Sequence, residues 1–122
     1  MKDFENFVKH LRYEAITLAI LMVVLTHKSP APLWVLPATF LLFDIGLIGY
    51  LKDTKLGALT YNISHSLIIP TLLIASGILF DISWVAVLGF CWTFHVAVDR
   101  SLGFGLKHQH SFKETHLGII GK

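Results

Sequence analysis

The stretch LGALTYNISHSLIIPTLLIASGILF, Leu56–Phe80, decides the fold class. It holds no Asp, Glu, Lys or Arg, and it exceeds the ~20 helical residues needed to cross a hydrocarbon core ~30 Å thick. In lipid an unpaired backbone polar group costs several kcal/mol, and a helix pairs its own. The strand-like run Ile63–Ile69 is therefore weak grounds for a sheet. The whole stretch reads as a membrane-crossing helix that Pro70 should kink.

Working outward, three more apolar runs flank it: Ala15–Thr26, extended back through Tyr13 and Leu11, then Leu33–Leu51, and Ile82–Val98. The breaks carry helix-ending signals. His27–Pro32 contains two prolines, Lys52–Lys55 is a charged turn, and Asp81 before Ser83 reads as a helix N-cap. Pro37 belongs in the first turn of its helix, where a missing N–H does no harm. Gly46, Gly49, Gly77 and Gly89 should permit close helix contacts. The expected architecture is all-α: a four-transmembrane-helix bundle with a short cytoplasmic C-terminal tail. Its helices lie at about 11–27, 33–51, 56–80 and 82–99, with the tail at 101–122, in a single integral membrane domain covering 1–122.

Composition agrees. Of 122 residues 54% are hydrophobic and 15% charged, against about 25% charged in soluble domains, and the mean hydropathy is +0.66. This excludes a disordered chain, a basic nucleic-acid-binding domain and most soluble enzymes. The single cysteine, Cys91, excludes an intrachain disulfide and any Cys-rich metal framework. A cleaved signal peptide is the rival reading of the first run. Asp3, Glu5, Glu14 and the lack of a clean A-x-A site weigh against it. With four crossings, Lys2, Lys9, Arg12, Lys52, Lys55, Arg100, Lys107, Lys113 and Lys122 share one side, and only Lys28 lies on the other. That asymmetry puts both termini in the cytoplasm.

Ionisable groups inside membrane helices cost about 2.5–3.5 kcal/mol each and mark functional sites. Asp44, His65 and His95 all fall roughly 7–14 Å from the cytoplasmic edge at 1.5 Å per residue, with Glu14 and Asp99 nearer that edge. His95 and Asp99 are four apart and share a face, as do Tyr61 and His65. These positions predict a cytoplasm-facing polar pocket. Asp44, His65, His95 and Asp99 are the candidate catalytic and metal-ligating residues. Glu14, Tyr61, Asn62, Arg100 and His116 are candidate pocket residues. Each has a plainer alternative: Glu14 snorkelling beside Arg12, Asp99–Arg100 as an interfacial pair, Cys91 as a core residue, the histidines as hydrogen-bond partners between helices. His108 and His110 in the tail are weak metal signals by themselves.

The stretches Gly57–His65, His95–Arg100, Gly103–Lys107 and Phe112–Gly118 resemble a family of small four-helix bacterial integral membrane proteins of unknown function. The resemblance implies a location in the bacterial inner (plasma) membrane and a retained first helix. It supplies no catalytic residues.

Two histidines and two carboxylates suit zinc, manganese or iron, and a bound divalent metal could activate water against a lipid-like or small hydrophobic substrate. The E-x-x-H spacing of di-iron bundles is absent. The alternatives are metal-free acid–base catalysis, haem between His65 and His95, or a small carrier, proton relay or lipid- or cofactor-binding protein without catalysis. The partners expected are membrane lipids and not nucleic acid. A homo-oligomer is an alternative to the monomer.

Overall fold

The computed structural model describes residues 1–109 and 111–120, so His110 and Lys122 lie outside the described residues. Helix α1 runs Lys2–Lys28, longer at its start than the apolar run alone predicts. Asp3 and Glu5 sit in its first turn and His27 and Lys28 in its last, the charge order a helix dipole favours. Ser29 ends it, its hydroxyl donating to the Thr26 carbonyl just before Pro30.

The second run is not one α-helix. A single turn, α2 (Val35–Ala38), passes into a 3₁₀ helix over Phe40–Leu51. A 3₁₀ helix has three residues per turn, so side chains three apart eclipse one another. The burial follows that period: Phe43, Gly46 and Gly49 are buried, Asp44, Leu47 and Tyr50 half-buried, and Leu42, Ile45, Ile48 and Leu51 exposed. The glycines let this segment lie directly against α3 (Thr54–Ser64). A Cβ on Gly46 would strike the Ser64 hydroxyl and the Thr60 carbonyl. Thr60 Oγ1 instead donates to the Gly46 carbonyl at 2.5 Å.

Asp53 caps α3, its carboxylate accepting from the Leu56 N–H at 2.7 Å. The third run then breaks at His65–Leu67 and resumes as α4 (Ile68–Leu79). Pro70 explains the break. It lacks the N–H that would bond to the Ser66 carbonyl, and its ring crowds that carbonyl. The interruption thus falls upstream of the proline, within its first turn. Two side chains of α5 (Ser83–Ser101) satisfy freed carbonyls: Trp92 Nε1 donates to Ser64 at 2.6 Å and Arg100 to His65 at 3.3 Å.

Asp81 is not the N-cap of α5. Ile82 holds that position without a side-chain cap, and Asp81 adopts φ +56° at the end of α4. The Ile82 N–H bonds back to Gly77 and the Asp81 N–H to Ile78, the paired closure of a left-handed helix C-terminus, which Asp tolerates.

Helix α5 is the central element. Met22 of α1 packs on Ala86 and Phe90, with Ile74 of α4 beside them. Leu36 and Phe43 pack against Cys91 on another side. Cys91 is therefore a core residue. Apolar side chains also cover the outside: Leu41 is 78% exposed, Ile45 68% and Leu72 63%. Among the described residues one helical stretch, Thr54–Leu79, is long and apolar enough to cross a membrane, and Val35–Leu51 is a shorter apolar helix.

The helical body bears out an all-α chain, but the tail carries strands that the apolar pattern did not predict. β1 (Lys107–His108), β2 (Ser111–Thr115) and β3 (Gly118–Ile119) form an antiparallel meander, Lys107 opposite Thr115 and Thr115 opposite Gly118.

Candidate metal centre

Four side chains from three elements converge beneath the tail. His95 and Asp99 lie one turn apart on α5 and project together. His65 ends α3, so its ring is carried at the break rather than along a continuous helix. Asp44 comes from the half-buried face of the 3₁₀ helix. His95 and His65 are essentially buried, at 0% and 3% exposure.

His65 Nε2 and His95 Nε2 are 3.0 Å apart. Each lies 3.1 Å from Asp99 Oδ2 and 3.3 Å from Asp44 Oδ1. All four ligand atoms fall within 4.8 Å of one another. Five of the six separations are thus 3.0–3.3 Å. In a regular tetrahedron that edge length puts the centre about 2.0 Å from every corner, the length of Zn–N and Zn–O bonds. The sixth edge, between the two carboxylate oxygens, is held only to within 4.8 Å.

The hydrogen bonds around His65 fix what its ring offers. His65 Nδ1 is 3.0 Å from the Tyr61 carbonyl and 2.8 Å from Ser64 Oγ. A carbonyl only accepts, so Nδ1 carries a proton and donates it. In the neutral ring Nε2 then presents a lone pair to the centre, the arrangement that second-shell carbonyls impose on metal-bound histidine. The Tyr61 ring stacks on His65 with centroids 3.8 Å apart and 9° between planes. Phe40 packs on His95 at 4.3 Å and Phe43 at 5.7 Å, keeping that side apolar. His95 Nδ1 has no hydrogen-bond partner among the described residues to fix its tautomer. With its Nε2 unprotonated like that of His65, two nitrogen lone pairs and two carboxylates would repel unless a cation lay among them. The 3.0 Å contact between the nitrogens has room for at most one proton. Two carboxylates and a divalent ion sum to zero charge, which the surroundings favour.

The candidate pocket residues do not form one pocket. Tyr61 belongs to the centre through its stack on His65. Asn62 instead holds the tail: its amide donates to the Lys107 carbonyl at 2.8 Å and accepts from the Lys107 N–H at 2.6 Å. Glu14, Arg100 and His116 line a separate cavity against α1. Glu14 also pairs with His10 on the surface. Arg100 bridges the two regions, since it donates to His65.

Lys107 was not foreseen. It is 5% exposed, with its ammonium 4.6 Å from the Tyr61 ring centre and 3.8 Å from that of Phe112, and it donates to the Phe112 carbonyl at 2.9 Å. Burial lowers its pKa, and the Asp99 carboxylate acts the other way. Its sequence context, a glycine-rich segment, gives no sign that a lysine folds inward.

A family profile described as a domain of unknown function, DUF4260, matches residues 8–120. The chain belongs to the DUF4260 family. No curated protein and no solved structure matches it. The stretches that carried the resemblance to an uncharacterised family all lie inside the matched DUF4260 region, and so do all four converging side chains.

Proposed function

We propose that this DUF4260 chain is an integral protein of the bacterial inner (plasma) membrane that binds one divalent transition-metal ion, of the zinc class, through Asp44, His65, His95 and Asp99. The observation that carries it is the meeting of four ligand atoms within 4.8 Å, the two histidine nitrogens 3.0 Å apart and each 3.1–3.3 Å from both carboxylates, with the His65 tautomer set by the Tyr61 carbonyl. Manganese or iron would accept the same donor types, but so compact a set of four favours the tetrahedral preference of zinc.

The membrane placement is supported by the apolar exterior and by segment length. At ~2.0 Å per residue the 3₁₀ helix adds about 24 Å to the ~6 Å of α2, so Val35–Leu51 reaches the ~30 Å of a hydrocarbon core with fewer residues than an α-helix needs. The basic side holds both termini, and it is the side where Asp99 and the tail lie. A reporter fused to the C-terminus is expected to behave as cytoplasmic, and a periplasmic signal refutes this orientation.

One observation favours catalysis over a purely structural ion. The Asp44 side chain is 32% exposed, beside the apolar face of Ile45 and Ile48, while the other ligands are more enclosed. A coordination position opened there would face a hydrophobic milieu, so the substrate would be lipid-like. The ion would supply an activated water, and Asp44, swinging off, would accept the proton.

Elemental analysis of the detergent-purified chain tests the conclusion. One equivalent of metal is expected, falling below a tenth in His95→Ala. A wild-type protein free of metal after expression in zinc-supplemented medium overturns it.

A further inference from the structure

The cavity lined by Glu14, Arg100 and His116 has about 130 Å³ of internal space. At ~10–15 Å³ per water-sized group it holds on the order of ten such groups, too small for a drug-sized ligand and right for a headgroup. Its walls are largely apolar: Leu11, Ala15 and Leu18 of α1 and Val96 and Ala97 of α5, with Leu67 and Leu117. The polar groups come from three different elements, α1, α5 and the tail.

Their chemistry is complementary. Arg100 commits one N–H to the His65 carbonyl at 3.3 Å, which aims the guanidinium while leaving further donors. His116 Nδ1 accepts the Leu106 N–H at 2.8 Å, so its ring proton is on Nε2 and that atom donates. Glu14, whose mostly exposed carboxylate also lies 3.3 Å from His10, contributes acceptors at the rim. A cation and a neutral donor suit a phosphate, and a carboxylate beside them suits an ammonium.

We propose that this cavity binds the headgroup of a zwitterionic phospholipid with a primary ammonium, phosphate against Arg100 and His116 and ammonium against Glu14. The proposal rests on the membrane placement argued for the chain, since the cavity lies at the end of α5 where the cytoplasmic leaflet would meet the protein. Because Arg100 also holds His65, occupancy would steady the carbonyl of a metal ligand.

The test is native mass spectrometry of the full chain in nonionic detergent with equimolar dioleoyl phosphatidylethanolamine and phosphatidylglycerol. About tenfold greater retention of the ethanolamine lipid is expected. Glu14→Gln should abolish that preference, and Ala15→Leu, which fills the cavity, should lower retention of both. O-phosphoethanolamine and inorganic phosphate serve as probes of the headgroup alone and are expected to compete only at millimolar concentration. Equal retention of both lipids by wild-type protein, or a preference that survives both substitutions, overturns the proposal. A normal metal content in the same samples would then leave the metal centre standing. A chain that fractionates as soluble removes the membrane placement and this proposal together.

Discussion

Asp44→Asn should change sign with metal. Without an ion, the Asp44 and Asp99 carboxylates face each other with ligand oxygens within 4.8 Å. At an effective dielectric of ~20 that repulsion is about 3.5 kcal/mol, and solvent screening at the one-third-exposed Asp44 reduces it to about 2 kcal/mol. The amide is nearly isosteric and uncharged, so in chelator the variant should be more stable than wild type by about that amount. With free ion at ~1,000 times Kd, binding contributes about 4.1 kcal/mol to the wild type. If losing a charged ligand raises Kd a hundredfold, the same ion concentration gives the variant only about 1.4 kcal/mol. The assay is thermal unfolding of detergent-purified protein at pH 8, in EDTA and in excess zinc. The expected pattern is a large chelator effect on wild type, a small one on Asp44→Asn, and the variant ahead in EDTA. A wild type indifferent to chelation, or a variant less stable than wild type in EDTA, refutes the reasoning.

Gly46→Ala places a methyl on the Ser64 hydroxyl and the Thr60 carbonyl, and should cost about 1–3 kcal/mol while lowering metal content, because Asp44 moves with the helix. Unfolding and elemental analysis of one preparation check both. Asn62→Ala removes two hydrogen bonds to the Lys107 backbone, worth about 2 kcal/mol together. Hydrogen exchange at the Lys107 amide should accelerate ~30-fold with metal content unchanged. Burial, then the Arg100 charge, hold the His116 pKa below its usual 6.5, and Nδ1 must stay unprotonated to accept the Leu106 N–H. The unfolded chain therefore binds the proton more readily. His116's contribution is fully present above pH 6.5 and is lost as pH falls below it. The protection factor at Leu106 should fall between pH 7.5 and 5.5, although the intrinsic exchange rate itself slows over that range, and His116→Gln should flatten that fall.

Much of the centre was legible because ionisable residues in apolar runs are costly and few. Asp44, His65 and His95 each interrupt a separate apolar run, and the i, i+4 spacing of His95 and Asp99 placed two on one face. The convergence needed only that the helices pack. The 3₁₀ helix was harder to see, since a run apolar all round carries no α-helical stripe. Its signal was present as Phe40, Phe43, Gly46 and Gly49 at intervals of three, a period that marks neither an α-helix nor a strand. Pro70 announced a disturbance but not that it would fall at His65, where it frees the ring to turn inward. Asp81 looked like a cap because Asp favours both N-caps and left-handed turns, and only the backbone bonds to Gly77 and Ile78 separate the two. The tail's strands are too short to show alternation. Nothing local marks Asn62 as the partner of Lys107, forty-five positions away.

The three-residue period of the Phe40–Leu51 segment has a consequence for its tolerance of length changes. One residue inserted before Asp44 advances every later side chain by about 120°, sending the carboxylate to a different face and exchanging the glycine edge for isoleucines. Three residues restore all the faces but slide the carboxylate a full rung, about 6 Å, out of step with the histidines. Neither a frame-breaking nor a frame-keeping insertion upstream of Asp44 keeps the carboxylate among the histidines, whereas an insertion before Asp53, which must stay in place as the cap of α3, leaves Asp44 where it is. Chains that share this centre should therefore vary in length on one side of the segment and hold it constant on the other.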